Sequence, residues 1–371
     1  MLIYLIILIA PLLVFGQEDN PFADVKPKEL SESQVKKQWA EQLSGENFGY
    51  RKEIMLETGI NNKGETAGRH SVGFEVLKKF SSDVKTYGAL NLQGRLVRRD
   101  GFIGFPNDME GIDREGWFTE YHNAYFDFYN VADPLLSEEG KSKNIGKFNA
   151  RMGRFYVPFG LNLATDTHGT LLQLSNNENF GFERDWYTGF WGNINNDLRY
   201  DVFYLAGSGY DLKYQGQNGL TAARLSLGNI YLNEYGLEGG ISGISGERLL
   251  PHRTVVKTSR GGIDGRYRAI VPKGLFTWTS ELSSGKDNDE SVLTQLHQAD
   301  YLYFSRNWGA ATQYRWFKNQ RSALLAEVTW YFRNDVAGSN LHWIKLNYQR
   351  DIEQSIGDKN DVWTTQYYYY F

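Results

Sequence analysis

Residues 361–371, DVWTTQYYYYF, decide the fold. Taken at a period of two, Trp363, Thr365, Tyr367, Tyr369 and Phe371 share one face, and Val362, Thr364, Gln366, Tyr368 and Tyr370 share the other. Aromatic and β-branched residues dominate both faces, so the segment reads as a strand. An exposed, flat, aromatic strand at the edge of a sheet recruits other chains, so something must cover it. Closure of the sheet on its first strand removes the edge, and hydrocarbon accepts the aromatic face. The chain therefore reads as all-β, a transmembrane antiparallel β-barrel; the competing reading is a soluble sandwich with a frayed last strand.

Composition fits the barrel. The net charge is only −4, which leaves no electrostatic footprint for nucleic acid. Mean hydropathy is −0.51, yet aromatic residues reach 15%, as expected where lumen and loops are polar while an outer band and its girdles are apolar. With 39 Gly and 8 Pro the chain has the makings of many strands and turns, and with 0 Cys it has no disulfide, thiolate metal site or attached c-type haem. No cofactor is expected. The first residues, MLIYLIILIAPLLVFGQ, form the only long apolar run. Small residues Val14 and Gly16 mark residues 1–16 as a signal peptide cut before Gln17, although the absence of a basic residue near Met1 keeps a retained anchor open. Residues 17–47 read as a periplasmic lead. Within it Leu30, Val35, Trp39 and Leu43 make one helical stripe, and Ser31 with Gln34 has capping-box spacing, so a short amphipathic helix is expected there. That helix is either a partial plug or a segment tucked against the barrel rim.

From residue 48 to 371 the chain becomes a series of alternating segments. Ile54, Leu56 and Ile60 oppose Arg51, Glu53 and Glu57; Val72, Phe74 and Val76 oppose Glu75 and Lys79; Leu90, Leu92 and Leu96 oppose Asn91, Gln93, Arg95 and Arg99; Ala124, Phe126 and Phe128 oppose Asn123, Tyr125 and Asp127. Together with later segments there are about sixteen strands, uncertain by about two, and an even number puts both barrel ends of the chain on one side. Alternation alone does not exclude a sandwich. Connection lengths do: short turns are expected at 81–85, 194–197, 271–274, 306–309 and 334–340, and longer loops at 100–115, 158–186, 207–219, 244–256, 284–292 and 351–360. Two connections disobey, the long 131–145 and the short 319–322.

A barrel of that size is too wide for side chains to fill, so a water channel is the default. The polar phase assigns its lining, including Arg95, Arg99, Asp127, Arg151, Asp264, Arg266, Arg268 and Arg315. Bases modestly outnumber acids in that set, which favours small polar or anionic solutes; the plainer alternative makes each charge a partner in a structural ion pair. In KFNARMGRFYV an inward Arg151 puts Arg154 in the outward phase, so Arg154 must sit near the mouth or beside a bulge. The 158–186 connection begins with Pro158, Phe159 and Gly160 and carries Leu161, Leu163, Leu171, Leu172 and Leu174. Its length and apolar residues read as a constriction loop folded into the lumen. Asp166 and His168 in that loop are the only tempting local acid–base or metal pair, and with no second cluster they read as loop hydrogen-bonding groups. No catalytic residue and no metal ligand is assigned.

Two resemblances add to this. The terminal Phe371 with alternate aromatics before it resembles the signal by which outer-membrane barrels engage their assembly machinery. RMGRFYVPFGLN, followed by ERDWYTGFWGNINNDLRYDVFYLAGSG, resembles the phosphate-selective porin O and P family. The matching positions are Arg151, Gly153, Phe155, Pro158, Phe159 and Gly160, then Arg184, Asp185 and Gly189, with Ala206 to Gly209 closing the match. The resemblance is specific over about residues 148–210. It implies a sixteen-stranded, homotrimeric porin in the outer membrane of a Gram-negative bacterium, surrounded by outer-membrane lipid. Phosphate passage would need a ring of Lys, and none is visible. The expectation is a porin, not an enzyme; the alternative is a structural barrel, such as a sheath around an electron-transfer partner or a surface attachment protein.

Overall fold

The computed structural model describes residues 48–371, except 82–85, 102–114, 138–145, 162–174, 196, 210–218, 229–235, 250–253, 304–306, 319–320, 333–340, 355–360 and 371. The expected leader and helix within residues 1–47 lie outside the described residues, as does Phe371. Sixteen strands follow one another: β1 (Phe48–Asn61), β2 (Thr66–Ser81), β3 (Thr86–Gly101), β4 (Gly116–Phe128), β5 (Asn149–Tyr156), β6 (Arg184–Asn193), β7 (Leu198–Leu205), β8 (Gly219–Leu227), β9 (Gly236–Leu249), β10 (Val255–Val271), β11 (Gly274–Asp287), β12 (Glu290–Tyr303), β13 (Trp308–Phe317), β14 (Arg321–Tyr331), β15 (Leu341–Gln354) and β16 (Asp361–Tyr370). Each pairs antiparallel with its neighbours, and β1 closes on β16. The last strand is thus covered by the first, as its composition demands.

The closing register shows why the sequence alternates. Ile54, Leu56, Thr58 and Ile60 lie beside Tyr369, Tyr367, Thr365 and Trp363, while Met55 and Glu57 lie beside Tyr368 and Gln366. The first set faces out and the second faces in: Trp363 is 50% exposed and Glu57 0%. The same outward phase holds Phe126, Val202, Phe276, Trp278, Val328, Trp330, Ile344 and Tyr369. A sandwich would have packed these residues inside; here they cover the outer surface.

Two expected loops are shorter than the sequence suggests. Residues 284–292 are nearly all strand, because β11 and β12 are joined only by Asn288 and Asp289, and Asn288 adopts the left-handed conformation at φ 51°, which Asn tolerates. Residues 244–256 likewise belong mostly to β9 and β10. Polar stretches there read as loops, yet a strand can project beyond hydrocarbon with a polar outer face. The length asymmetry between the two barrel ends is correspondingly weaker. Its two exceptions persist, one between Phe128 and Asn149 and one between Phe317 and Arg321.

Candidate functional site

The inward face is crowded with charge, and many of the charges are paired. Arg151 donates two hydrogen bonds to Asp127, at 2.7 and 2.8 Å. Arg266 bonds Glu238, Arg199 bonds Asp201, and Lys345 reaches Glu327 at 2.9 Å. Three pairs skip a strand: Arg95 of β3 reaches Glu53 of β1, Arg69 of β2 reaches Glu120 of β4, and Arg224 of β8 reaches Asp264 of β10. Two of them pass over a glycine of the intervening strand. A Cβ at Gly73 would lie 2.6 Å from the Glu53 carboxylate, and one at Gly240 would lie 2.6 Å from the Arg224 guanidinium. The missing side chain opens the path, and bidentate geometry offsets the desolvation of two buried charges.

Arg151 is also enclosed by aromatics. Its guanidinium lies 4.3 Å from the Tyr125 ring centre, 4.4 Å from Phe155 and 5.5 Å from Trp191, and the Trp191 indole donates to Asp127 at 3.1 Å. A cation held by a carboxylate and three ring faces is fixed in position. Of the other expected lining residues, Arg95, Arg99, Arg268 and Arg315 are likewise inward and buried, and Asp264 and Arg266 are inward and partly buried.

The described ends of the connection after β5, residues 157–161 and 175–183, pack against the wall. Pro158 is buried, Phe159 is 0% exposed, the Gly160 N–H donates to Ser242 of β9 at 3.2 Å, and the Leu161 N–H donates to Glu281 of β11 at 3.2 Å. Gly160 has φ 64°, and a Cβ there would run into the Glu281 carboxylate. The Phe159 ring sits over Gly262 of β10, where a Cβ would approach it to 2.9 Å. A short helix the sequence reading did not anticipate, α1 (Ser175–Phe180), follows. Its Asn176 amide donates to the Phe159 carbonyl at 2.8 Å, and its end is held from the wall. Arg248 donates to the Phe180 carbonyl at 2.6 Å, Arg260 donates to Asn179 at 3.0 Å, and both bond Asp287, at 2.8 and 2.5 Å. Phe159, Leu161, Phe180 and Phe182 join Phe155, Phe203, Leu205, Leu220 and Ile244 in one buried cluster. Leu163, Asp166, His168, Leu171, Leu172 and Leu174 lie outside the described residues.

Arg154 and Asp185 tie the roots of this segment together. Arg154 follows Gly153, whose φ of 121° breaks the alternation. It is 1% exposed and donates to the carbonyls of Tyr121, Arg184 and Gly209. The Asp185 carboxylate accepts from the N–H groups of Gly207 and Gly209 at 2.6 and 3.0 Å. The motif between residues 148 and 210 therefore marks a hydrogen-bonded knot around the inward segment.

Several inward residues were missed from sequence: Arg69, Glu120, Arg224, Glu238, Arg248, Arg260, Asp287, Asp300 and Asp351. Glu120 lies beyond a register shift at Gln93/Gly94, so counting back from Asp127 by twos lands on Tyr121. Arg248 and Asp287 fall in stretches read as loops. Arg224 and Arg260 were recoverable, since each shares the phase of an inward neighbour. The added residues are four bases and five acids, which narrows the modest excess of bases expected from sequence. Among the described residues no group of three or more His, Asp or Glu is placed to hold a metal ion.

By fold the chain is similar to solved outer-membrane porins. Against OprB of Pseudomonas putida at high pH the TM-score is 0.60 at 9% identity, covering 92% of this chain and 96% of that one. The anion-selective porin from Comamonas acidovorans gives 0.55 at 8% identity, covering 87% and 100%, and Salmonella typhi OmpF in complex with daunomycin gives 0.54 at 10%, covering 87% and 97%. No protein-family model and no curated protein matches the sequence, the phosphate-selective O and P family included. What the likeness shows is the sixteen-stranded porin barrel.

Proposed function

We propose that the chain is a diffusion channel in the outer membrane of a Gram-negative bacterium, passing small polar solutes through a lumen narrowed by the segment between Val157 and Glu183. The observation that carries this is the closed register, which turns apolar side chains out and charged ones in on every side, from β1 round to β16. Such a surface suits lipid, and such an interior suits water. Because Arg151, Arg224, Arg266 and Lys345 face carboxylates, selectivity for anions is weak, and among the described residues phosphate finds no ring of uncompensated bases to follow. Residues 1–16 are removed on export, the aromatic phase of β16 engages the assembly machinery, and the barrels associate as homotrimers. Planar-bilayer recording of the purified protein tests the channel, with stepwise, ohmic conductance as the expected result. Insertion without current would favour a plugged or sheathing barrel.

A further inference from the structure

The outer surface of β10 to β13 changes character toward the barrel end away from both termini of the wall. On β10 the outward phase runs Ile263, Gly261, Ser259, Lys257, and on β11 it runs Leu282, Ser284, Lys286. Ile263 lies opposite Leu282, Gly261 opposite Ser284 and Ser259 opposite Lys286. The two strands thus make the same passage side by side, from exposed apolar side chains through small and hydroxylated ones to ammonium groups. At about 3.4 Å per residue, Leu282 and Lys286 stand about 14 Å apart along the strand. Acyl chain, glycerol and phosphate follow one another in that order in a phospholipid.

The lysines converge at the top of that passage. Ser291 of β12 lies opposite Lys286, and the Lys318 ammonium, just past β13, donates to the Ser291 hydroxyl at 2.7 Å. Lys257 is diagonal to Lys286, a spacing of about 7–8 Å between the two backbones. The acids nearby leave Lys286 and Lys318 uncompensated on the outward face, among the described residues. Glu247 of β9 lies opposite Lys257, on the side away from Lys286. Asp287 is turned onto Arg248 and Arg260, Glu290 shares its phase, and Asp289 sits in the turn. Elsewhere on this rim an outward base has an acid beside it: Arg98 meets Asp100 at 2.8 Å, and Arg350 lies opposite Asp361. Clustered like charges repel, and an anion seated among them relieves the repulsion.

We propose that Lys257, Lys286 and Lys318 hold the headgroup phosphate of an anionic lipid, with the Ser259 and Ser291 hydroxyls as further donors and an acyl chain over the apolar residues below. Charge complementarity selects an anion, and the apolar track leading up to the lysines selects one that carries hydrocarbon. Long Lys stems let the ammonium groups rise to headgroup level. Each basic residue near an anionic lipid surface strengthens binding about fivefold. The site rests on the membrane reading above and gives it a specific partner, a lipid held at one place on the wall.

Native mass spectrometry of the detergent-solubilised full-length protein tests it, with dioleoylphosphatidylglycerol and dioleoylphosphatidylcholine as probes that differ only in the headgroup. Wild type should retain the anionic lipid at least about tenfold more tightly, and the triple variant Lys257→Gln, Lys286→Gln, Lys318→Gln should lose that preference while binding phosphatidylcholine as before. Lys286→Gln alone should weaken anionic-lipid binding about fivefold, and it decides if the triple variant does not fold. Equal retention of the two lipids by wild type, or an unchanged preference in the folded variants, overturns the proposal. Displacement of the lipid by equimolar inorganic phosphate also overturns it, since the lysines would then be a site for a free anion. Bilayer recording separates the two readings: selective lipid binding by a protein that carries no current overturns the channel and leaves the site, whereas a conducting protein without the preference overturns the site alone.

Discussion

Leu92 and Gln93 are adjacent near the midpoint of β3, and introducing Arg at each should have opposite consequences. Leu92 faces out at 40% exposure, between Val76 and Ala124; Gln93 faces in at 8%, between Glu75 and Asn123. The two share depth, strand and neighbours in sequence, so only the face differs. An Arg in hydrocarbon near the bilayer midplane costs about 2–4 kcal/mol, so Leu92→Arg should lower the folding equilibrium about 30- to 700-fold at about 1.4 kcal/mol per tenfold. Gln93→Arg places the cation in the lumen beside Glu75, and its effect should stay within about 1 kcal/mol. Refolding into lipid vesicles over a urea series, read by the heat-modifiable gel mobility of barrels, gives both numbers. Equal penalties, or a larger one for Gln93→Arg, would refute the register, since a slip of one residue exchanges the faces.

Three further outcomes follow from the lumen. Glu53→Ala strands the Arg95 guanidinium, whose side chain is 0% exposed, and should cost about 3–5 kcal/mol in the same refolding assay; removing Arg95 as well should recover part of the loss. Arg151→Ala should shift reversal potential toward cations because it leaves Asp127 uncompensated, and Arg151→Ala with Asp127→Ala should restore the wild-type value; an unshifted single variant would place the pair outside the ion path. Deleting residues 164–178 should raise single-channel conductance, and an unchanged value would mean that the inward segment does not narrow the bore.

The strands were legible because the bilayer imposes a period of two wherever an apolar residue must face lipid, as in Leu90, Leu92 and Leu96. The closure was legible in β16, whose aromatic faces require a partner. Parity failed at the β4 irregularity that hides Glu120, and composition failed at the outer ends of β9 to β12, where Ser, Lys and Asp in strands look like loop. The attachment of the described ends of the 158–186 connection was not legible in the sequence. Nothing local to Phe159 predicts a seat over Gly262, and nothing local to Arg248 or Arg260 predicts that they clamp the end of α1. Those contacts join residues roughly 70 to 100 positions apart, and only the closed wall brings them together.

Single-channel recording of the purified, refolded protein in a planar bilayer tests most directly whether the closed wall encloses a conducting lumen. Discrete, ohmic steps with weak ion selectivity are the expected result. Verified insertion without any conductance would contradict it.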